Sequence, residues 1–291
     1  MRGDAGAHEL IAPHSLNEVL ALIATAPGQW TPIAGGTELM VAFAAGRLSA
    51  QKLVGLWGIP GLRSISATAE TIVIGAGATF TDLRADGNIT AEFPLLAETA
   101  SWIGSIANQS RATLGGNLVN GSPAADSSPA LLAYDAEIEL ISLRDRRRIP
   151  YGSFHTGYKQ NAMAADELMY AVHLPRRFAE HRQYIRKVGT RRAMAIAKVA
   201  LAGTALLRDG VIREIRLAAA SLAPFPARLL QTEESLLGRE INAERIRVAR
   251  TAFMDEVKPI DDIRSNAEYR RCIGANLLEE FLVSLRPEPL Q

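Results

Sequence analysis

Two pairs of adjacent glycines constrain the N-terminal half of this 291-residue chain more than any other feature. Gly35-Gly36 follows the run Trp30-Thr-Pro-Ile-Ala34, which reads as a short strand, and Gly115-Gly116 lies within Thr113-Leu-Gly-Gly-Asn117. Paired glycines let the backbone come within hydrogen-bond distance of a ligand with no Cβ in the way. Successive N–H groups at such turns form anion-binding concavities, strengthened where a helix start points at the same place. Either loop alone is equally well a tight turn. Two in one domain, flanked by the hydroxyls of Thr37 and Thr113 and with Asn117 after the second, suit a diphosphate shared between loops. Neither is a Walker P-loop, because no Lys-Ser or Lys-Thr follows at the required spacing. Gly75-Ala-Gly77 is not the GxGxxG of a Rossmann turn, since position 80 is Phe80. The expectation is a nucleotide-bearing ligand outside both standard folds.

Composition narrows the chemistry. With 32 Lys+Arg against 31 Asp+Glu the net charge is +1, which leaves no electrostatic footprint for nucleic acid. The single Cys272 makes no intrachain disulfide and cannot hold an iron-sulfur cluster, which needs about four thiolates. The five histidines, at 8, 14, 155, 173 and 181, show no metal-ligand spacing. Any redox centre is therefore organic or supplied by another chain. The first residues contain no apolar core of signal-peptide length, and no stretch reaches the roughly 18 apolar residues of a membrane span, so a cytoplasmic protein is expected.

The length suggests two domains at roughly 150 residues each. Ser15 to Ile23 has capping-box spacing, Ser15 to Glu18, ahead of apolar residues at helical intervals. Glu38 to Leu48 has helical composition. Thr71-Ile-Val-Ile74 is a β-branched strand, with Thr79 and Thr81 beyond it as possible helix caps. Thr113 to Pro129, with three glycines and two prolines, reads as loop or irregular backbone; Ser127 or Ser128 is expected to cap the next helix, with Pro129 in its first turn. Glu137 to Leu143 alternates as a strand and Arg144 to Arg148 reads as a solvated hairpin tip. The texture changes between Pro175 and Tyr184. Ala195 to Leu207 and Val211 to Ala220 are strand-like runs around the turn signal Arg208-Asp-Gly210. Helical segments at Leu229 to Leu237, Asn242 to Val257 and Asn266 to Leu285 follow, giving a small antiparallel sheet backed by helices.

Several spaced motifs carry a family resemblance. Ile33-Ala-Gly-Gly-Thr-Glu-Leu39, Ile103-Gly-Ser105, Arg111-Ala-Thr-Leu-Gly-Gly-Asn-Leu118 and Ser122-Pro-Ala-Ala-Asp126 resemble the flavin-binding (medium) subunit of the molybdenum hydroxylases, of the xanthine dehydrogenase and aerobic carbon monoxide dehydrogenase type. Gly157-Tyr-Lys159, Glu167-Leu-Met169, Tyr184 to Val188, Arg191-Arg192 and Pro259 to Arg270 resemble it in the same order, so the likeness runs over nearly the whole chain. The resemblance implies an α+β chain: a two-subdomain FAD-binding fold of the vanillyl-alcohol oxidase (PCMH) type over 1–178, divided near 55–60, then a C-terminal α+β domain over 179–291. It implies that Ala34, Gly35, Gly36, Thr37 and Glu38 in one loop, and Thr113, Leu114, Gly115, Gly116 and Asn117 in the other, hold the FAD diphosphate mainly through backbone N–H groups. Asp126 is carried over as a polar contact to FAD, and Ile103, Met169 and Lys187 fall where members contact the cofactor. Plainer readings stand beside these: Asp126 as a turn cap, Lys187 as an exposed strand lysine, Ile103 and Met169 as core residues. No histidine occupies a position suggesting covalent attachment, so the FAD is expected to be held non-covalently. One departure is visible. Where members read Pro-Gln-Ile-Arg-Asn before the second loop, this chain has Ile106-Ala-Asn-Gln-Ser110, with Gln109 in place of the arginine.

The same resemblance implies an electron-transfer subunit rather than a hydroxylase. Electrons would come from a molybdenum cofactor in a large subunit, through [2Fe-2S] clusters in a small subunit, to FAD, and leave to NAD+, oxygen or another acceptor. Two rival readings remain: a stand-alone flavin oxidoreductase on the same fold, for which Tyr158 and Glu167 are the available side chains, and a non-catalytic assembly module. Nothing in the chain names the substrate or the acceptor.

Overall fold

A computed structural model describes residues 3–191 and 194–286; Arg192 of the Arg191-Arg192 pair lies outside the described residues. The chain opens with β1 (Glu9–Ile11), α1 (Leu16–Thr25), β2 (Trp30–Ile33), α2 (Leu39–Ala44) and β3 (Lys52–Gly55). The three strands form a small parallel sheet in the order β1-β3-β2. Ser15 starts α1 by accepting the Glu18 N–H at 3.2 Å, while Glu18 reaches back past Ser15 to the His14 N–H at 3.0 Å, a capping box displaced by one residue. The apolar face of α1, Val19, Leu20 and Ile23, buries against Trp30, Val54, Ile59 and Leu62.

Next come β4 (Ile65–Ala67), β5 (Thr71–Gly75), and short helices α3 (Phe80–Ala85), α4 (Gly87–Glu92), α5 (Pro94–Trp102), α6 (Ile106–Gln109), α7 (Leu114–Val119) and α8 (Ser128–Ala133). After them run β6 (Glu137–Ile141), β7 (Arg146–Pro150), the small hairpin β8 (His155–Gly157) and β9 (Gln160–Asn161), and β10 (Leu168–Pro175). β10 returns to the centre of a five-stranded sheet, β4-β5-β10-β6-β7, whose pairings are antiparallel. The face of this sheet carrying Ile72, Ile74, Ile138, Leu140, Val172 and Leu174 packs against the helices in the largest core.

The stretch from Thr113 to Pro129 is not irregular throughout. Thr113 caps α7, its hydroxyl accepting the Gly116 N–H at 3.1 Å, and α8 begins before the stretch ends. Two glycines each cost a helix about 1 kcal/mol, but Leu114 and Leu118, four residues apart, are fully buried on one face and outweigh that cost. Neither Ser127 nor Ser128 caps α8. Ser127 donates to Asn117 Oδ1 at 2.7 Å, and Ser128 accepts from the Tyr151 hydroxyl at 2.7 Å. The basic run does close the β6–β7 hairpin and is mostly exposed, but only its start lies in the turn and three of its arginines are paired. β7 begins at Arg146, and Arg144, Arg146 and Arg147 meet Asp166, Glu139 and Glu167 at 2.8, 3.0 and 2.6 Å.

β11 (Arg182–Val188), β12 (Val199–Arg208), β13 (Val211–Ala220) and β14 (Ala227–Arg228) form an antiparallel sheet in chain order, followed by α9 (Leu230–Leu236), α10 (Ala243–Glu256) and α11 (Ala267–Ser284). Asp209 and Gly210, at φ 53° and 75°, make the tight β12–β13 turn that the sequence signals. The helices cover one face. α8 covers part of the other: Ala202 and Ala218 belong to the core of the five-stranded sheet, and Thr204 donates to the Ala133 carbonyl at 3.2 Å. Small residues on β12 and β13 let α8, all six of whose residues are buried, lie close to the strands. Among the described residues no helix is long and apolar enough to cross a membrane.

Candidate functional site

The first glycine loop leaves the carboxyl end of β2. β2 and β3 are parallel, and Leu56 N–H donates to the carbonyl of Ile33, the last residue of β2, at 2.9 Å. Beyond that bond the strands part, at the edge where open parallel sheets place their ligands. Among the described residues, the N–H groups of Gly35, Gly36, Thr37 and Glu38 meet no backbone acceptor. Gly36 sits at φ 73°, a conformation that favours glycine. Ala34 to Thr37 are half-buried; Glu38 is exposed, its carboxylate 4.0 Å from Lys159 at the tip of the β8–β9 hairpin.

The second loop meets the first through a contact that only glycine permits. A Cβ on Gly35 would lie 1.7 Å from the Arg111 carbonyl oxygen, two residues before Thr113. From Leu114 to Asn117, however, the N–H groups of the second loop are already spent. Leu114 donates to Ala78 O at 2.9 Å, Gly115 to Ala76 O at 2.8 Å, Gly116 to Thr113 Oγ1 at 3.1 Å and Asn117 to Thr113 O at 3.0 Å. Gly115 is buried, and its Cβ would strike Ala76 Cβ at 2.6 Å. Gly116 is exposed, and its Cβ would meet only Thr113 Oγ1, at 2.9 Å. The second loop therefore offers a bare surface and the first offers donors.

Asn117 leads to the rest of the site, since it accepts from Ser127, the residue after Asp126. Asp126 and Lys187 form an ion pair at 2.7 Å in which each side chain is only 11% exposed. The second oxygen of Asp126 is buried without a partner, and burial pushes the carboxyl up to about 6 against the pull of Lys187. The ammonium of Lys187 lies 5.9 Å from the Trp102 ring centroid, beside half-buried Ile103. Lys187 is thus no exposed strand lysine, and Asp126 is not spent on a turn cap. Met169 is different. It is 3% exposed on β10, across from Leu140, and shares the largest core with Leu114 of the second loop and Leu118 beside it. Gln109 is committed internally: it accepts from Arg84 at 2.6 Å and donates to Ser101 O at 3.0 Å, tying α3, α5 and α6 together.

Read from the sequence alone, Trp57 has no role, and Arg111 has none beyond its place in a motif. The Arg111 guanidinium stacks 3.8 Å from the Trp57 ring centroid. An aromatic two residues past a parallel strand was the available signal. Among the described residues, no group of three or more His, Cys, Asp or Glu comes together as a metal site.

The residues fit a flavin dinucleotide: unpartnered donors at a strand end, a second loop kept bare by glycine, and a buried carboxylate oxygen beside a buried ammonium. Comparison with known proteins agrees. The family described as FAD binding domain in molybdopterin dehydrogenase matches residues 6–177, and the CO dehydrogenase flavoprotein C-terminal domain matches 184–285. The chain is 30% identical over 258 residues to the xanthine dehydrogenase FAD-binding subunit of Escherichia coli O157:H7, covering 88% of each. It is 27% identical over 274 residues to the carbon monoxide dehydrogenase medium chain of Hydrogenophaga pseudoflava, covering 94% of this chain and 95% of that one. A solved structure of carbon monoxide dehydrogenase from the same organism superposes with a TM-score of 0.91 over 96% of both chains, at 27% identity.

Proposed function

Because the chain belongs to the family of FAD-binding medium subunits of the molybdenum hydroxylases, of the xanthine and carbon monoxide dehydrogenase type, we propose that it passes electrons from [2Fe-2S] clusters of a small partner subunit, through FAD, to NAD+ or another acceptor. The molybdenum cofactor belongs in this reading to a large partner subunit. The observation that carries it is the run of N–H groups from Gly35 to Glu38, unpartnered among the described residues and packed through Gly35 onto the approach to the second loop.

FAD supplies the redox chemistry, taking electrons singly and releasing them in pairs. This chain binds and orients. Gly35, Gly36, Thr37 and Glu38 donate backbone N–H groups to the diphosphate, with Ala34 leading into the loop. Thr113, Leu114, Gly115, Gly116 and Asn117 form a floor that the dinucleotide lies against, with Gly116 as the point of closest approach. Asp126 accepts from a donor on the cofactor and Lys187 holds that carboxylate in place. Ile103 gives an apolar contact beside Trp102, and Met169 supports the site from the core. The flavin-binding part spans 1–178, with a division near 55–60, and the C-terminal part spans 179–291. The family matches at 6–177 and 184–285 support this division, as does the gap between β3, ending at Gly55, and β4, starting at Ile65.

A stand-alone oxidoreductase has less support. Glu167 is held by Arg147 through contacts of 2.6 and 2.7 Å and accepts the Ala164 N–H, and the Arg147 hydrogen bonds hold its carboxyl below the usual range, which suits a structural anchor rather than a proton donor. Tyr158 is 63% exposed. Affinity capture of the chain from its native host tests the proposal. Molybdenum and iron-sulfur subunits co-purifying with it are expected; a chain recovered alone and oxidising a substrate by itself would sink it.

A further inference from the structure

We propose that Arg111 is a binding residue for the FAD diphosphate, held ready for that role by stacking on Trp57. The inference rests on the flavin-binding reading above and adds a cation that neither glycine loop supplies.

Trp57 follows β3 and Gly35 follows β2, so both stand at the same carboxyl edge of the parallel sheet. Arg111 reaches this edge from the other side. Its backbone carbonyl packs on Gly35, where a Cβ would be 1.7 Å away, and its guanidinium carbon lies 3.8 Å from the Trp57 ring centroid. It is thus where the two loops meet. Stacking uses the face of the guanidinium and leaves its N–H edge free to donate. Among the described residues that edge meets no carboxylate and no other acceptor. Arg63 makes the contrast: its guanidinium also lies over Trp57, at 5.1 Å, but is spent in a two-point contact with Asp82 at 2.9 and 3.0 Å. The nearby carboxylate of Glu38 faces Lys159 instead.

An uncompensated, pre-oriented cation beside four unpartnered N–H groups is the complement of a group carrying two negative charges. Within a flavin dinucleotide that group is the diphosphate. Stacking limits the rotamer freedom that an arginine loses on binding, so Trp57 acts through Arg111 as a positioning residue.

The test is a titration of the full chain, freed of flavin, with FAD, riboflavin and ADP, following flavin fluorescence and, for ADP, displacement of FAD. Arg111→Ala should weaken FAD by about ten- to a hundredfold, the range for a charge-assisted hydrogen bond. Arg111→Lys should recover part of that loss, and Trp57→Leu should cost severalfold. Riboflavin, which has no phosphate, should bind wild type and Arg111→Ala equally, which also shows that the variant is folded. ADP should lose the same factor as FAD. The proposal is overturned if Arg111→Ala binds FAD within about twofold of wild type, or if riboflavin weakens as much as FAD. A wild-type chain that takes up no FAD removes the flavin reading along with this assignment; a wild type that binds FAD beside a variant that binds it equally removes the assignment alone.

Discussion

Gly115 and Gly116 are neighbours with opposite surroundings. A methyl on Gly115 collides with Ala76, whereas one on Gly116 meets only the hydroxyl that caps its own helix. Gly115→Ala should therefore cost about 1–3 kcal/mol of stability, the usual penalty for overpacking. Gly116→Ala should leave the denaturation midpoint close to wild type while lowering the ratio of flavin to protein absorbance. Equal destabilisation by both would contradict the assignment of Gly116 to the ligand side. The sequence marks both glycines as backbone approached by a ligand. It does not show that the N–H groups of Leu114 and Gly115 are consumed, because their acceptors, Ala78 and Ala76, lie about 40 residues away and become neighbours only through the fold. Asp126 carries a second prediction at this scale. Its folded pKa, about 6, lies above that of an unfolded aspartate, so its contribution to stability is present at low pH and is lost as pH rises between about 4 and 6. In the flavin-free chain, denaturant titration should therefore show stability falling as pH rises from about 4 to 6 in wild type and a flatter profile in Asp126→Asn. An equal slope in both would place the proton binding elsewhere.

Among the elements, α8 and the β8 strand share a buried polar chain. Tyr151 donates its hydroxyl proton to Ser128 and accepts from His155 Nε2 at 3.1 Å, while His155 Nδ1 is buried without a partner. Burial holds this imidazole below its ordinary range, opposed by the Gln160 backbone. The unfolded chain then binds a proton that the folded chain refuses, so stability falls as pH drops below about 6.5. In His155→Phe, measured by denaturant titration between pH 5 and 7.5, that acid-side slope should be reduced; an unchanged slope would place the proton uptake elsewhere, with His181, also lowered chiefly by burial, as the other site. How legible these elements are depends on what fixes them. Helices set by local caps, such as α1 at Ser15 and α10 at Asn242, read out of the sequence because cap and periodicity lie within one turn. α7 does not, although Thr113 caps it, because its two glycines mask the helix in the sequence and the burial of Leu114 and Leu118 that offsets them comes from the fold.

At the scale of the molecule, Asp135 ties the five-stranded sheet's helical layer to the C-terminal sheet. It sits at φ 49° just after α8 and faces Arg177, Arg216 and Arg228 at 2.5, 2.8 and 2.7 Å. Asp135→Asn keeps a residue that tolerates this backbone but removes the charge shared by three guanidiniums. A loss of about 1–3 kcal/mol is expected, read from chemical denaturation; a loss below about 0.5 kcal/mol would mean that the cluster contributes as little as an ordinary surface pair. The α+β class and the small C-terminal sheet with its helices were legible from the Asp209-Gly210 turn and the three amphipathic segments. The seam was not, because it is written in small residues, Ala202 and Ala218, that look generic until α8 is laid on them. In the sequence, the near-neutral charge leaves no footprint for nucleic acid, and the single cysteine makes any redox centre organic or supplied by another chain. The most direct measurement is therefore the uptake of FAD by the purified full-length chain. A yellow protein that binds FAD stoichiometrically, and whose visible absorption bleaches with dithionite, is the predicted result; a colourless chain that fails to take up added FAD while remaining folded would contradict it.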